Sequence, residues 1–432
     1  MTNVTFPQLI HRGCGIDVHL KVVVATIDGV GIRKETRTFD TFTSCLTEMK
    51  EWLLANGITH VAMESTGVYW KPVMRVLEAD IPNVWIVNAR HIKNVPGHKT
   101  DKMDREWICK LFLAGLLKPS YIPPKEQRQL RDLTRYRNKL IQAIAAEKNR
   151  MMRVLEDCNI KLSSVVANTS GVTATALIDM LCEGRKLAIE VIESVYHKKL
   201  SASPQELLEA CTGFVEEHHV YMLQMIRKSI AQTQGLVDEL SKRIKEILIK
   251  YDNVLELLKE IPGFNTKVVE DLVSEIGLDI SAFPFEKHLA SWAGICPGNT
   301  ESAGKKNGRI THGNKQVKAV LTEAAWAATR TKNTFFSERY HRISARRGKK
   351  RALIAVAHSQ LTAAYLILST GARYHELGAQ YMQAKIEKKR KLYLTAELKK
   401  LGYKLVLRKI ESNKILRQHY LRPILIGTPI VR

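Results

Sequence analysis

An unbroken helical pattern in the middle of the chain constrains its fold more than any other feature. Residues 123–157 contain the stretch PKEQRQLRDLTRYRNKLIQAIAAEKNRMMRVLED, in which apolar residues recur at intervals of three and four and the polar face is strongly basic. Such a period suits a helix and does not suit a strand. The pattern therefore predicts one long helix, with a separate N-terminal module before it.

Short extended runs precede this helix. Residues 15–27 read GIDVHLKVVVATI, and a glycine turn at 29–31 is followed by a second alternating run, IRKETRTF. These runs predict an antiparallel hairpin. Further strands are expected at 60–65 and 84–89, each preceded by a helical segment. Strands that alternate with helices after a hairpin predict a mixed α/β fold of the ribonuclease H type.

The chain after the long helix is predicted to be mostly helical. A second long helix is expected at 221–257, and residues 160–220 between the two are helical and polar, without a legible motif. Residues 258–277 read LKEIPGFNTKVVEDLVSEIG, two helices joined by a Pro-Gly turn. This segment resembles a helix-hairpin-helix, whose turn amides can contact a phosphate, and an ordinary helical hairpin fits it equally well.

The positive charge is concentrated in the C-terminal third. The net charge is +24, yet residues 1–300 carry 38 Lys/Arg against 36 Asp/Glu, while 301–351 and 385–432 each carry 14 against 3. This distribution predicts a nucleic-acid-binding face. Anionic membrane is the other common partner of basic surfaces, but the most apolar window, 352–367, is interrupted by a His-Ser-Gln triplet, so no membrane partner is expected.

The seven cysteines form no Cys-x-x-Cys pair and are odd in number. This argues against a disulfide framework and against a zinc ribbon. We expect reduced thiols and a cytoplasmic location.

Four acids stand out by position. Asp17 lies inside the first strand, Glu64 ends a later apolar strand, and Asp101 and Asp104 are three residues apart at the start of a helix. Taken alone, Asp101 could be a helix N-cap with Asp104 at the third helical position, and Asp17 could belong to an edge strand. Together the four supply the hard oxygen ligands that two Mg²⁺ ions about 4 Å apart would need for phosphodiester chemistry.

A lone serine, Ser302, lies in the glycine-rich stretch ESAGKKNGRITHGNK at 301–315. In one interpretation the glycines build tight turns and the lysines are solvated. In the other, Ser302 attacks a phosphorus atom while neighbouring cations neutralise the phosphate oxygens. His312, the nearby histidine, is expected to be a loop or phosphate-contacting residue rather than a general base.

Both sets of residues resemble the insertion-sequence one-hundred-and-ten transposase family, the RNA-guided recombinases. The four acids are similar to the D-E-D-D set of that family's RuvC-like domain, and residues 288–328, HLASWAGICPGNTESAGKKNGRITHGNKQVKAVLTEAAWAA, are similar to its second signature, which carries a catalytic serine. Some members have glycine directly after the serine, whereas here Ala303 precedes Gly304.

The resemblance implies a reaction, partners and roles for individual residues. Mg²⁺ would bind Asp17, Glu64, Asp101 and Asp104, and Ser302 would become covalently joined to cleaved DNA. The partners would be donor and target DNA and a noncoding guide (bridge) RNA, with sequence specificity delegated to base pairing. The working unit would be a homo-oligomer, a dimer or tetramer, in the cytoplasm at the nucleoid. Residues expected to contact nucleic acid are Lys305, Lys306, Arg309, Lys315, Arg346 and Arg347.

Four segments follow from these expectations. They are a RuvC-like domain at 1–122, a helical, coiled-coil spacer at 123–257, a mostly helical serine transposase domain at 258–384, and a basic tail at 385–432.

Three other functions remain open at the level of sequence. A junction-resolving nuclease would use the four carboxylates and water as the nucleophile. A tyrosine recombinase could use Tyr340, Tyr374 or Tyr381, although no Arg…His-x-x-Arg…Tyr pattern accompanies them. An architectural nucleic-acid-binding protein would explain the charge but not the four acids.

Overall fold

The structure is a computed structural model, and it describes residues 9–65, 67–88, 104–297, 301–302, 305–306 and 310–403. For residues 104–106, 301, 302, 305, 306 and 382–386 it describes the backbone alone. The chain divides into two compact units, Met1–Pro124 and Lys125–Arg432.

The first unit is built on a five-stranded mixed sheet, as the sequence predicts. Its order is β3-β2-β1-β4-β5, in which β1, β2 and β3 are antiparallel and β4 and β5 run parallel to β1. The strands are β1 (Arg12–Val18), β2 (Val22–Gly29), β3 (Glu35–Asp40), β4 (His60–Glu64) and β5 (Asn83–Val87).

The prediction that residues 15–27 form one extended run is wrong. The chain turns at residues 19–21, where the His19 amide donates to Val22 O (2.9 Å) and Leu20 is exposed at the tip. The turn carries no glycine or proline, so the sequence gives no local signal for it. Folding back lets both halves of the run place apolar side chains in the same core, since Ile16 and Val23 are fully buried.

Helices cover both faces of this sheet. One face packs against α1 (Thr43–Ala55) and α2 (Trp70–Leu77) around a core that includes Ile16 and Met63. The opposite face packs against α3 (Asp104–Leu113), whose Phe112 lies on Ala62 and Trp85. The alternation along each strand therefore decides which side chains meet α3.

The second unit begins with two long antiparallel helices, α4 (Lys125–Asp157) and α9 (Glu217–Leu248). The prediction for α4 is confirmed. The second helix is shorter than predicted, because α9 ends at Leu248 and a 3₁₀ turn (Ile249–Tyr251) separates it from α10 (Asp252–Lys259). Asp252 and its neighbouring Asn begin the new helix, and both residue types favour helix ends over helix interiors.

Residues 160–220 are more structured than their polar composition suggests. They fold into short helices around a core that they share with the adjoining ends of α4 and α9, and Leu177, Ile192 and Leu207 are fully buried in it. These helices are α5 (Leu162–Val165), α6 (Val172–Cys182), α7 (Ile189–Val195) and α8 (Pro204–Ala210).

The remaining helices form a bundle around α15, together with a small hairpin. They are α11 (Thr266–Ile276), α12 (Glu286–Trp292), α13 (Lys315–Thr329), α14 (Phe335–Arg347), α15 (Lys349–Thr370) and α16 (Gly378–Lys400), with strands β6 (Glu301–Ser302) and β7 (Lys305–Lys306). Among the described residues, α15 is the one helix long and apolar enough to cross a membrane. Its Ala352, Val356 and Leu361 are buried, and Gln360 donates to Pro262 O (2.8 Å), so this apolar face is used inside the protein.

Candidate functional site

Two of the predicted acids meet at one edge of the sheet. β1 and β4 are parallel neighbours with Ile16 opposite Met63, so Asp17 and Glu64 follow as the next pair, about 5 Å apart along the hydrogen-bonding direction. Ile16 and Met63 both enter the core under α1 and α2, and alternation therefore turns both acids toward the α3 face. Asp17 Oδ2 accepts a hydrogen bond from His19 Nε2 (3.1 Å).

The third described acid, Asp104, begins α3. The Cys109 thiol donates to Gly13 O (3.7 Å), and the Leu9 amide, before β1, donates to Leu113 O (2.8 Å). α3 therefore runs antiparallel to β1, and its N-terminal end points toward the edge that carries Asp17.

These acids fit a divalent cation in part. Asp17 and Glu64 offer hard carboxylate oxygens about one strand spacing apart, which is a donor set for Mg²⁺ or a similar ion. The Asp104 side chain and all of Asp101 lie outside the described residues, and the described residues contain no group of three or more metal-ligating side chains.

Ser302 is the last residue of the first strand of a short β-hairpin in the second unit. Ser302 pairs with Lys305 and Glu301 pairs with Lys306, which leaves a two-residue connection between the strands. An isolated bridge joins Pro297 to Ile310 at the base of the hairpin. The serine therefore belongs to a paired strand rather than to an irregular loop. The side chains of Ser302, Lys305 and Lys306, and all of Arg309, lie outside the described residues.

The base of the hairpin is held by close backbone contacts. The Thr311 amide donates to Cys296 O and the Asn314 amide donates to Trp292 O, both at 3.0 Å. Gly313 has no room for a side chain, since a Cβ there would lie 2.2 Å from the Gly294 nitrogen. Glycine at 313 is thus required by close approach, whereas the sequence suggested only a turn.

Family comparisons match both regions. A transposase model of the DEDD type matches residues 14–160, and a model described as "Transposase IS116/IS110/IS902 family" matches residues 255–341, together just over half of the chain. The chain belongs to this transposase family. Asp17, Glu64, Asp101 and Asp104 fall within the first match and Ser302 falls within the second.

Relatives from three bacteria are similar to this transposase over part of their length. A pilin gene-inverting protein of Moraxella bovis is 25% identical over 187 residues, which are 42% of this chain and 56% of that protein. The Moraxella lacunata protein of the same name gives the same values. An uncharacterized 43.6 kDa protein of insertion element IS110 from Streptomyces coelicolor is 24% identical over 203 residues, 44% of this chain and 48% of the relative. The chain thus spans about half the length of the curated relatives it matches.

A buried acid connects the hairpin base of the transposase to its long helix. Glu275 of α11, 2% exposed, accepts two hydrogen bonds from Arg135 of α4 (2.6 and 2.9 Å) and one from Asn314 Nδ2 (2.8 Å). Asn314 Oδ1 in turn accepts from two amides at the start of α13. The hydrogen bond from Arg135 to Glu275 is the main cause of a raised pKa at Arg135.

A second buried ion pair lies one turn earlier on α11. Arg137 donates to Glu270 (2.6 Å) and to Asp271 (2.9 Å), and all three side chains are less than a tenth exposed. Lys267 and Asn138 also donate to Asp271. Sequence reasoning missed this set. Its signal is three acids in the otherwise apolar run VVEDLVSEI.

The contacts of the α10–α11 turn favour an ordinary helical hairpin over a phosphate-contacting one. Gly263, at φ +90°, lies against α13, where an added Cβ would meet Ala324 O at 2.2 Å. Pro262 O accepts from Gln360, and Asn265 Oδ1 caps α11 by accepting from the Val268 amide (2.8 Å). The turn is thus occupied by protein contacts.

The remaining predicted cations are exposed at helix ends. Lys315 begins α13, and Arg346 and Arg347 lie in the last turn of α14. They are accessible to a polyanion.

The three tyrosines considered as alternative nucleophiles make packing contacts instead. Tyr340 is 6% exposed and packs edge-on against Trp326. The Tyr374 hydroxyl donates to Glu376 (2.9 Å), and burial followed by this hydrogen bond raises the pKa of Tyr374 far above its ordinary value. The Tyr381 ring lies against Phe335. A raised tyrosine pKa disfavours the phenolate nucleophile.

Proposed function

We propose that this chain is a DNA transposase that excises and inserts a mobile element by cutting and rejoining DNA through a covalent Ser302–DNA intermediate. The observation that supports this proposal most is that Asp17 and Glu64 lie on adjacent strands at the carboxyl ends of β1 and β4, within the DEDD match, while Ser302 ends a paired strand within the second match. The fold around the acids is proposed to be of the RNase H/RuvC-like type.

In the proposed reaction the Ser302 hydroxyl attacks a DNA phosphorus. A bond forms between Ser302 Oγ and phosphorus as the hydroxyl gives up its proton, the phosphorus–oxygen bond to the sugar breaks, and the released sugar oxygen takes up a proton. Attack by another sugar hydroxyl reverses the step and joins the new strand. Because one phosphoester replaces another, bond energy is conserved and no nucleotide cofactor is needed for rejoining.

The acids and the cations have separate roles. Asp17, Glu64, Asp101 and Asp104 would hold Mg²⁺, which when bound supplies Lewis-acid polarisation of phosphate oxygens. Lys305, Lys306 and Arg309 would neutralise phosphoryl charge beside Ser302, and the cations that would hold the nucleic-acid backbone are Lys315, Arg346 and Arg347.

The partners are proposed from the family resemblance and the basic composition. We propose donor and target DNA, a noncoding guide RNA that supplies sequence specificity, and further copies of the chain in a dimer or tetramer, acting in the cytoplasm at the nucleoid. The basic regions at 301–351 and 385–432 support a polyanionic partner.

A search for a nucleotide-modified peptide tests the serine mechanism. The protein is incubated with Mg²⁺ and DNA that carries its native flanking sequence, denatured and digested, and peptides spanning residues 299–309 are analysed by mass spectrometry. We expect a modification on Ser302 that is absent from Ser302→Ala. DNA cleavage with an unmodified peptide would instead favour the hydrolytic resolvase, which uses water as the nucleophile.

A further inference from the structure

Two partly buried arginines on α14 each enclose a guanidinium nitrogen that has no hydrogen-bond acceptor. The Nε atoms of Arg339 and Arg342 are shielded from solvent, and neither finds a hydrogen-bond acceptor. Within the described part of the chain, no carboxylate lies within ion-pair distance of either guanidinium. The guanidinium carbon of Arg339 lies 5.8 Å from the centroid of the Phe335 ring. Arginines elsewhere in this unit, such as Arg135 and Arg137, are paired with buried acids.

The surroundings of these two arginines are positive. Positions 339 and 342 are three apart and share one face of α14. Burial, and after it the charge of Arg342, lowers the pKa of Arg339. His358 of α15 lies nearby, where burial and then Arg339 lower its pKa, against an opposing effect of Glu286 on α12. The fold therefore holds like charges together in a partly desolvated place, and no described acid forms an ion pair with either arginine.

A bound anion would neutralise these unpaired positive charges. Guanidinium groups donate in a fixed fork that matches the oxygens of a phosphate, and such charge-assisted bonds are among the stronger hydrogen bonds. Arg346 continues the same face seven residues after Arg339, exposed in the last turn of α14. A row of cations along one helix face suits a nucleic-acid backbone better than an isolated small anion.

We propose that Arg339 and Arg342 form a phosphate-binding site that grips the backbone of the nucleic acid bound by this protein. The site would position the strand and carry no sequence information, because its contacts are to phosphate oxygens. This inference rests on the proposed function, since it requires a nucleic-acid partner, and it adds residues that the basic composition alone does not single out.

Replacement by methionine tests the site, because methionine keeps the apolar stem and removes the charge. Binding of a fluorescein-labelled duplex DNA and of a labelled RNA stem-loop is measured by anisotropy at several salt concentrations in EDTA, which prevents cleavage. We expect R339M and R342M each to weaken binding about tenfold and to reduce the salt slope by about one for the nucleic acid that contacts the site. If only DNA binding or only RNA binding weakens, that nucleic acid is the one whose phosphates the arginines contact.

Arg373→Met is the matched control. Arg373 lies in the same unit and is paired with Glu260 (2.6 Å), so its loss should leave the salt slope unchanged. The thermal midpoint of each variant without nucleic acid shows whether a loss of binding is caused by a loss of fold stability. Because the unpaired charges oppose folding, R339M and R342M should keep or raise the midpoint.

The outcomes are distinct. Unchanged affinity and salt slope in both methionine variants, with steep salt dependence in the unmodified protein, would overturn the site and leave the proposed transposase intact. Weaker binding together with a lowered midpoint would mean that the arginines support the fold, and would also overturn it. If the unmodified protein binds neither DNA nor RNA with salt dependence, the proposed function itself fails.

Discussion

Removal of Arg137 should open the contact between α4 and α11. The Arg137 side chain is 4% exposed and pairs with Glu270 and Asp271 at 2.6 and 2.9 Å. In Arg137→Met, Asp271 keeps Lys267 and Asn138, whereas Glu270 keeps no ion-pair partner among the described residues. An uncompensated buried charge of this kind costs about 3–5 kcal/mol.

Hydrogen exchange followed by mass spectrometry is the suitable assay, because the two units make whole-chain unfolding a poor two-state process. A loss of about 3 kcal/mol corresponds to roughly a hundredfold faster exchange in peptides of α11. Arg137→Met/Glu270→Met should recover most of that protection, since it removes both the cation and the stranded acid. The control is Lys250→Met, which removes an exposed pair with Glu126 (3.4 Å) and should leave α11 unchanged.

Two results would refute this reasoning. Exchange in α11 that changes less than about fivefold in Arg137→Met would show that the pair contributes little net stability. A double variant no better protected than the single one would show that lost packing, not the stranded charge of Glu270, causes the effect.

Three further predictions test the site and its support. Glu64→Gln should abolish metal-dependent strand cleavage while the circular dichroism spectrum and thermal midpoint stay unchanged; full cleavage activity would exclude Glu64 from the metal site. Gly313→Ala should lower the unfolding free energy by about 1–3 kcal/mol, because its Cβ would lie 2.2 Å from a backbone nitrogen, whereas Gly235→Ala, inside α9 with open space around it, should raise stability by about 0.5–1 kcal/mol. Thermal midpoints compare the two, and equal shifts would contradict the close-approach argument. Removal of residues 385–432, with 14 Lys/Arg against 3 Asp/Glu, should weaken nucleic-acid binding and flatten its salt dependence, and an unchanged slope would count against a binding role for the tail.

The sequence predicted those helices and strands whose hydrophobic pattern is visible within a few neighbouring residues. The period of α4 and the short apolar strands β4 and β5 are visible in windows of a few residues. The turn at 19–21 is not, because the sequence HLK has no turn residue and the fold back is imposed by burial of both flanking strands. The break after Leu248 lies in a stretch of continuous helical period, and the one local signal near it is the Asp-Asn pair that begins the next helix.

Some residues of the candidate site could likewise be predicted from local sequence, and others could not. Asp17 could be proposed as a charge inside an apolar strand and Glu64 as a charge at the end of one, and the register of β1 and β4 places them on adjacent strands. Ser302 was singled out by its glycine-rich, basic context and by family resemblance. The pairing of Glu275 with Arg135 could not be found, because the two residues are 140 apart in sequence and only the tertiary fold brings them together.

The pairing of charges reduces the basic character of α4. The polar face of α4 is strongly basic in sequence, which alone would suggest a nucleic-acid-binding helix. In the fold, Arg135 and Arg137 are paired with acids of α11, and Arg137 is also buried. Arg339 and Arg342 have no such acid. A count of basic residues therefore overestimates the phosphate-binding surface at α4, and the unpaired guanidiniums of α14 are the better guide to where a nucleic-acid backbone would bind.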